Sequence, residues 1–180
     1  MEKRVIVILG PTCSGKTSLS LRLAKLLNTE IISADSRQVY KLLTIGTAKP
    51  TKSELEVAKH HFIDYLEPEE EFNVSRFETE ALKVIDSLHQ INKIPIVVGG
   101  SGLYIKSIVE GLWNDVDTDL EFRAKLQEER KEFGNQFIYD KLKEVDSKSA
   151  DSMLPQNWKR VIRALEVFHQ TGRYILEYQH

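Results

Sequence analysis

The residues best suited to chemistry lie near the start of the chain, in Gly10–Thr17, GPTCSGKT. Gly10, Gly15, Lys16 and Thr17 meet the pattern G-x-x-x-x-G-K-[ST]. Glycines tolerate backbone angles that turn successive N–H groups inward, so the loop Gly10, Pro11, Thr12, Cys13, Ser14 and Gly15 can cradle an anion, Pro11 shaping it without an N–H of its own. A helix starting near Lys16 adds the positive end of its dipole. Lys16 brings a mobile ammonium to terminal phosphate oxygens, and Thr17 offers a hydroxyl to a magnesium ion. The chemistry is the gripping of a diphosphate or triphosphate, and read alone the loop suggests a nucleotide such as ATP. Cys13 reads as a small spacer rather than a reactive thiol.

Asp35 closes the apolar run Ile31–Ala34. A carboxylate just past a strand end, beside a phosphate site, could bind magnesium through water or take a proton from an attacking nucleophile. It could equally cap a turn before Ser36, and local sequence leaves both readings open. His60-His61 has no third ligand at recognisable spacing and reads as packing or capping rather than metal binding. A helix from about Asn157 to Gln170 carries Val161, Leu165 and Phe168 on one face. Lys159 and Arg163 lie opposite, with Arg160 on the flank. Such a patch suits backbone phosphates, although the pattern reads first as the solvated face of an amphipathic helix. Arg123, near Glu121, Lys125 and Glu128, reads as a surface ion-pair residue.

The elements that position these groups follow from periodicity. Val5–Leu9 is a continuous apolar run suited to a strand covered on both faces. Lys16–Leu27 spaces Leu19, Leu23, Leu26 and Leu27 along one helical face. Ile31–Ala34 and Ile94–Val98 are further strands, the latter leading into Gly99-Gly100-Ser101-Gly102. Between them, Ser36–Phe72 is weakly periodic and reads as loop-rich. Capping boxes are expected at Ser75–Glu78, ahead of Phe77, Ala81, Ile85 and Leu88, and at Thr118–Glu121. Beyond Thr118 almost everything reads as helix. The expected fold is therefore α/β, a P-loop NTPase-like parallel sheet core over 1–115 with an added helical segment over 116–180. The three strands end at Gly10, Asp35 and Gly99, and ligands of open parallel sheets bind beyond the carboxyl ends of the strands.

Bulk properties narrow the class. The 180 residues, 41% hydrophobic and 29% charged, suit one sizeable core with a small appended piece. A net charge of −2 gives no global positive field, so a nucleic-acid partner needs a local patch. The single cysteine excludes an internal disulfide framework. No apolar run approaches membrane-spanning length, and Val5–Leu9 is too short for a signal peptide. A cytoplasmic monomer is expected.

GPTCSGKT, IISADSRQVY, IGTAKP, HHFIDYLEP, IVVGGSGLYIKSIVEGL and KRVIRALEVFHQTGR, in that order, resemble the tRNA dimethylallyltransferase family. The blocks cover essentially the whole chain, and SADSRQVY with IGTAKP is more specific than the loop. The resemblance implies transfer of a dimethylallyl group from its diphosphate to N6 of the adenine beside the anticodon of tRNA, with Mg2+. It implies that Thr12–Thr17 hold the donor diphosphate and that Asp35 is the base engaging the adenine amine. Asp35, Ser36, Arg37, Gln38, Ser101, Arg123 and Lys159, Arg160, Val161, Ile162 and Arg163 resemble the family's tRNA contacts in the anticodon stem-loop. Family members continue well beyond the Thr171-Gly172-Arg173 motif, so a C-terminally truncated form is expected. Two alternatives stay open: a P-loop kinase of a small molecule, and a tRNA- or nucleotide-binding remnant without activity.

Overall fold

The computed structural model describes residues 3–111, 116 and 118–178. The chain forms two compact units, Met1–Leu112 and Trp113–His180. The boundary expected at 115/116 falls at residues only partly within the described set.

The first unit is built on four parallel strands, β1 (Ile6–Leu9), β2 (Ile31–Ser33), β3 (His60–His61) and β4 (Ile96–Gly99), in the order β1-β4-β2-β3. Register aligns Ile6 with Ile96, Ile96 with Ile31, and Ile31 with His60. β2 is buried throughout, which its unbroken β-branched start anticipates. β1 alternates half-buried and exposed residues and lies at the sheet edge, so it is not covered on both faces as expected. β3 emerges from the segment expected to be loop. Two residues are too few to show a period, and only pairing with β2 defines the strand.

Helix α1 (Lys16–Leu27) buries Ser20, Leu21 and Ala24 rather than the expected leucine stripe, leaving Leu19 and Leu26 exposed. Small Ser20 and Ala24 let its backbone approach the sheet, where Leu21 and Ala24 pack on Ile31 and Ile96. The short α2 (Lys52–Leu55) is followed by α3 (Val74–Gln90), whose buried Phe77, Ala81, Ile85 and Leu88 match the expected face. Its N-cap is Asn73, whose side chain accepts from Arg76 N at 2.9 Å; the box expected at Ser75 is displaced into the first turn. α4 (Gly102–Glu110) contributes Tyr104, which stacks on Phe77 at 4.4 Å between ring centroids and donates its hydroxyl to Phe72 O at 3.1 Å.

The second unit comprises α5 (Leu120–Val145), α6 (Ser147–Asp151) and α7 (Trp158–Thr171) with two 3-10 turns. α5 is interrupted at Gly134, whose φ of 88° and ψ of 174° lie outside the helical region. Its N-cap is Asp119, accepting from Phe122 N at 2.9 Å, not Thr118. α7 stops at Gly172 in the left-handed conformation, a common C-terminal signal. Leu126, Ile138, Leu142, Val161, Ile162 and Leu165 form the core. Among the described residues no helix is long and apolar enough to cross a membrane.

Candidate active site

The turn between β1 and α1 adopts the conformation that its sequence favours. Cys13 and Gly15 have φ of 63° and 84°, and Gly15 is the N-cap of α1. Glycine meets the second of these at low cost. The arrangement aims backbone N–H groups and the helix N-terminus at the space above the loop. Lys16 Nζ donates to Pro11 O, folding the ammonium over the loop, and Cys13 is an exposed free thiol.

Across the sheet, a close approach of β2 and β4 sets the position of Asp35. A Cβ on Gly99 would lie 2.0 Å from Ala34 O, so only glycine fits there. Ala34 N donates to Val98 O at 2.8 Å, and Ser101 N to Ala34 O at 3.1 Å. Ser101 Oγ accepts from Ser36 N at 3.0 Å. Asp35 Oδ1 accepts from Arg37 N at 2.8 Å and Gln38 N at 3.2 Å. No hydrogen bond to Oδ2 occurs among the described residues. The two readings of Asp35 are therefore compatible: one oxygen builds the turn, and the other is open to a ligand.

An open pocket of about 340 Å³ is lined by Thr12–Thr17, Asp35, Gln38, Thr47, Glu54 and His60 among others. Its size suits a small phosphorylated molecule. Gly10, Pro11, Ser36, Arg37 and Ser101 are outside the lining; Gly10 and Pro11 support the loop, whereas Ser36 and Ser101 fix the Asp35 turn. Gln38 is committed to scaffolding. Its Nε2 donates to Thr47 O at 3.1 Å and Ala48 O at 3.0 Å, and its Oε1 accepts from Ser33 Oγ at 3.1 Å.

Two titratable lining side chains, His60 and Glu54, were not placed in the site by the sequence reading. His60 Nδ1 lies 2.8 Å from Ala58 O. A carbonyl can only accept, so Nδ1 carries the hydrogen and Nε2 of the neutral ring keeps its lone pair. Burial holds the His60 pKa below its ordinary value. Glu54 belongs to a capping box: its Oε2 accepts from Thr51 N at 2.7 Å, and Thr51 Oγ1 accepts from Glu54 N at 3.3 Å. The Thr51 backbone N–H, then its hydroxyl, hold the Glu54 pKa below the ordinary carboxylate value. The T-x-x-E signal at 51–54 was legible; His60 had none.

The helical unit treats its arginines differently. Glu166 is fully buried, and Arg123 grips it with Nε at 2.7 Å from Oε1 and Nη2 at 2.8 Å from Oε2. Arg163 Nη1 also donates to Oε2, its Nη2 donates to Val116 O at 2.9 Å, and Asp119 N donates to Oε1 at 2.8 Å. Burial alone would raise the Glu166 pKa; the donors from Arg123, Arg163 and Asp119 outweigh it and hold the carboxylate below its ordinary value. Of the expected tRNA contacts, Val161 and Ile162 are therefore corrected to core residues, because their side chains are buried. Arg123 does form an ion pair, but as a partly exposed clamp on buried Glu166 rather than with its neighbours in sequence, and Arg163 shares that role. Lys159 and Arg160 remain exposed, Lys159 with Nζ 5.5 Å from the Trp158 ring centroid.

The family model described as IPP transferase matches residues 38–180. The chain belongs to the IPP transferase family. Curated relatives in this family include the tRNA dimethylallyltransferase of Acetivibrio thermocellus, 51% identical over 97% of this chain and 56% of its own length. That of Halothermothrix orenii is 48% identical over 94% of this chain and 52% of its own length. Among solved IPP transferase structures, the full-length tRNA isopentenylpyrophosphate transferase of Bacillus halodurans is similar with a TM-score of 0.62 and 41% identity, over 95% of this chain and 57% of that one. A eukaryotic dimethylallyltransferase acting on tRNA is similar with a TM-score of 0.77 and 36% identity, over 98% of this chain and 44% of that one. The chain thus spans about half the length of the relatives it matches.

Proposed function

We propose that this chain carries the donor and acceptor site of a tRNA dimethylallyltransferase, which moves a dimethylallyl group from its diphosphate to N6 of the adenine beside the anticodon. One observation carries the reading: a phosphate loop and a carboxylate with one unpartnered oxygen share a single pocket. The identity of the relatives as tRNA dimethylallyltransferases supports the choice of donor and acceptor.

The loop N–H groups and Lys16 hold the diphosphate. As the C–O bond to the dimethylallyl carbon breaks, its electron pair stays on the departing diphosphate oxygen, where those donors meet the growing charge. The adenine N6 lone pair forms the new C–N bond. The N6 proton passes to Asp35 Oδ2, while Oδ1 keeps the carboxylate aimed. Holding both substrates in one pocket supplies much of the rate.

The residues present fit magnesium. Among the described residues no cluster of three or more His, Cys, Asp or Glu could cage an ion. Thr17 lines the pocket beside the place of the phosphates, and magnesium commonly takes few protein ligands, with water and phosphate oxygens completing its shell. Magnesium bound there would further neutralise the leaving diphosphate. Arg160 and Lys159 are exposed cations of the helical unit and are suited to pair with tRNA phosphates.

The test is incubation with unmodified tRNA, labelled dimethylallyl diphosphate and magnesium. Label in tRNA is expected. ATP turnover without label in tRNA would replace this reading with a kinase; donor and tRNA binding without label would reduce it to a binding remnant.

A further inference from the structure

Residues 42–46 form a loop that the chemistry above does not use. Leu42 and Ile45 are 79% and 96% exposed. Scattered exposed apolar residues are ordinary, but these two sit on a loop built to hold them out. Leu42 has a φ of 65°, a conformation unfavourable for a bulky L-residue. Tight turns follow one another, with Leu43 N donating to Lys41 O at 2.8 Å and Thr44 N to Leu42 O at 3.0 Å. Strain of this kind persists where the surroundings over-determine it. Here the base of the loop is pinned: Thr47 Oγ1 donates to Leu43 O at 2.6 Å, and Gln38 holds the carbonyls of Thr47 and Ala48.

The same base residues, Thr47 and Ala48, line the diphosphate pocket. Ile45 is two residues from Thr47, at most about 7 Å of chain. Arg37, exposed and with no side-chain partner among the described residues, lies at the other end of the segment that Gln38 ties together. An exposed apolar tip therefore stands within two residues of the lining of a pocket that must receive an adenine, with an exposed cation in the same segment. An adenine reaches such a pocket only after leaving its stack, which exposes the faces of its neighbours. Apolar side chains are the usual wedges at disrupted stacks.

We propose that Leu42 and Ile45 form a wedge that packs against the base next to the extruded adenine in a single-stranded RNA loop, with Arg37 pairing to its backbone. This rests on the prenyl-transfer reading and extends it to how the acceptor base is exposed. They would be positioning residues, touching a neighbouring base rather than the reacting atoms.

The experiment uses the chain with an RNA hairpin bearing 2-aminopurine in place of the target adenine, whose fluorescence rises on unstacking. Hairpin and donor binding are measured alongside. The Leu42→Ser/Ile45→Ser double variant should bind the hairpin about tenfold more weakly, the effect of losing a partly buried aliphatic contact. At saturation its fluorescence rise should fall well below wild type, with unchanged affinity for dimethylallyl diphosphate. Ile45→Met should retain most of the signal. A double variant with wild-type hairpin affinity and fluorescence would overturn the wedge alone, leaving the prenyl-transfer reading intact. A wild-type chain that binds no hairpin would overturn both. Loss of donor affinity in the variant would show a misfolded loop and likewise reject a dedicated wedge; circular dichroism distinguishes that from global unfolding.

Discussion

The two units place similar polar groups in opposite circumstances. In the α/β unit, Asp35 is half used: Oδ1 holds its own turn and Oδ2 has no hydrogen bond among the described residues. In the helical unit, Glu166 is wholly used, with both oxygens taken by two arginines and a backbone N–H. A carboxylate satisfied on every side holds a fold together, whereas one with spare valence beside a pocket can do chemistry. The contrast is sharper than residue type, since Arg163 and Arg160 are alike in sequence and differ in surroundings, the one bound to Glu166 and the other exposed.

Substitutions can break or sharpen that contrast. The largest effect is expected from Lys16→Ala, which under the proposed function removes a charge that meets the leaving diphosphate. Transfer should fall by about 10²–10³-fold, while thermal unfolding stays near wild type because the hydrogen bond of the Lys16 ammonium lies within its own loop.

Glu166→Gln should do the reverse, weakening the helical unit without touching the phosphate loop. Breaking a fully buried pair costs about 3–5 kcal/mol. Arg123 and Arg163 side chains are 32% and 28% exposed, so about 2–4 kcal/mol is expected in denaturant titrations. The pH dependence has a definite sign. The folded-state pKa of Glu166 lies below the ordinary 4.5, so its contribution is full above 4.5 and is lost as pH falls through the folded value. Wild type should lose stability over that acid range, and Glu166→Gln should show a flatter acid limb.

Gly99→Ala tests the frame that positions Asp35. The added Cβ, 2.0 Å from Ala34 O, forces β2 and β4 apart at their ends. About 2–3 kcal/mol of stability should be lost, and transfer should drop further than the fraction unfolded explains. The smallest effect is expected at Arg160→Ala, with stability within about 0.5 kcal/mol of wild type. Its RNA affinity should show a salt dependence shallower by about 0.7 in log–log slope if Arg160 meets one phosphate.

Much of this was legible where the cause is local. The turn between β1 and α1, three of the four strands, the span of α1 and the buried face of α3 all follow from residues within a few positions of one another. Helix starts were less so. Ser75 and Thr118 have capping chemistry, but Asn73 and Asp119 hold the extended backbone that a cap requires. The leucines of α1 promised a buried stripe, yet the small face of Ser20 and Ala24 meets the sheet. Long-range partners left no trace at all. Arg123 meets Glu166 across 43 positions, and His60 enters the pocket only because β3 pairs with β2. The resemblance placed Val161 and Ile162 within a tRNA-contact segment, whereas helical spacing put Val161 on the apolar face; the side chains of both lie in the core.

The division of labour within Asp35 is the centre of the account, and Asp35→Asn addresses it directly. Asparagine keeps Oδ1 and with it the turn, but it cannot take a proton. Donor affinity by calorimetry and label transfer to tRNA should be measured on the same preparation. Unchanged affinity for dimethylallyl diphosphate with transfer reduced by about 10²–10⁴-fold is predicted. Collapse of donor affinity, or transfer at the wild-type rate, would contradict a proton-accepting Oδ2 and make Asp35 a structural or magnesium-binding residue.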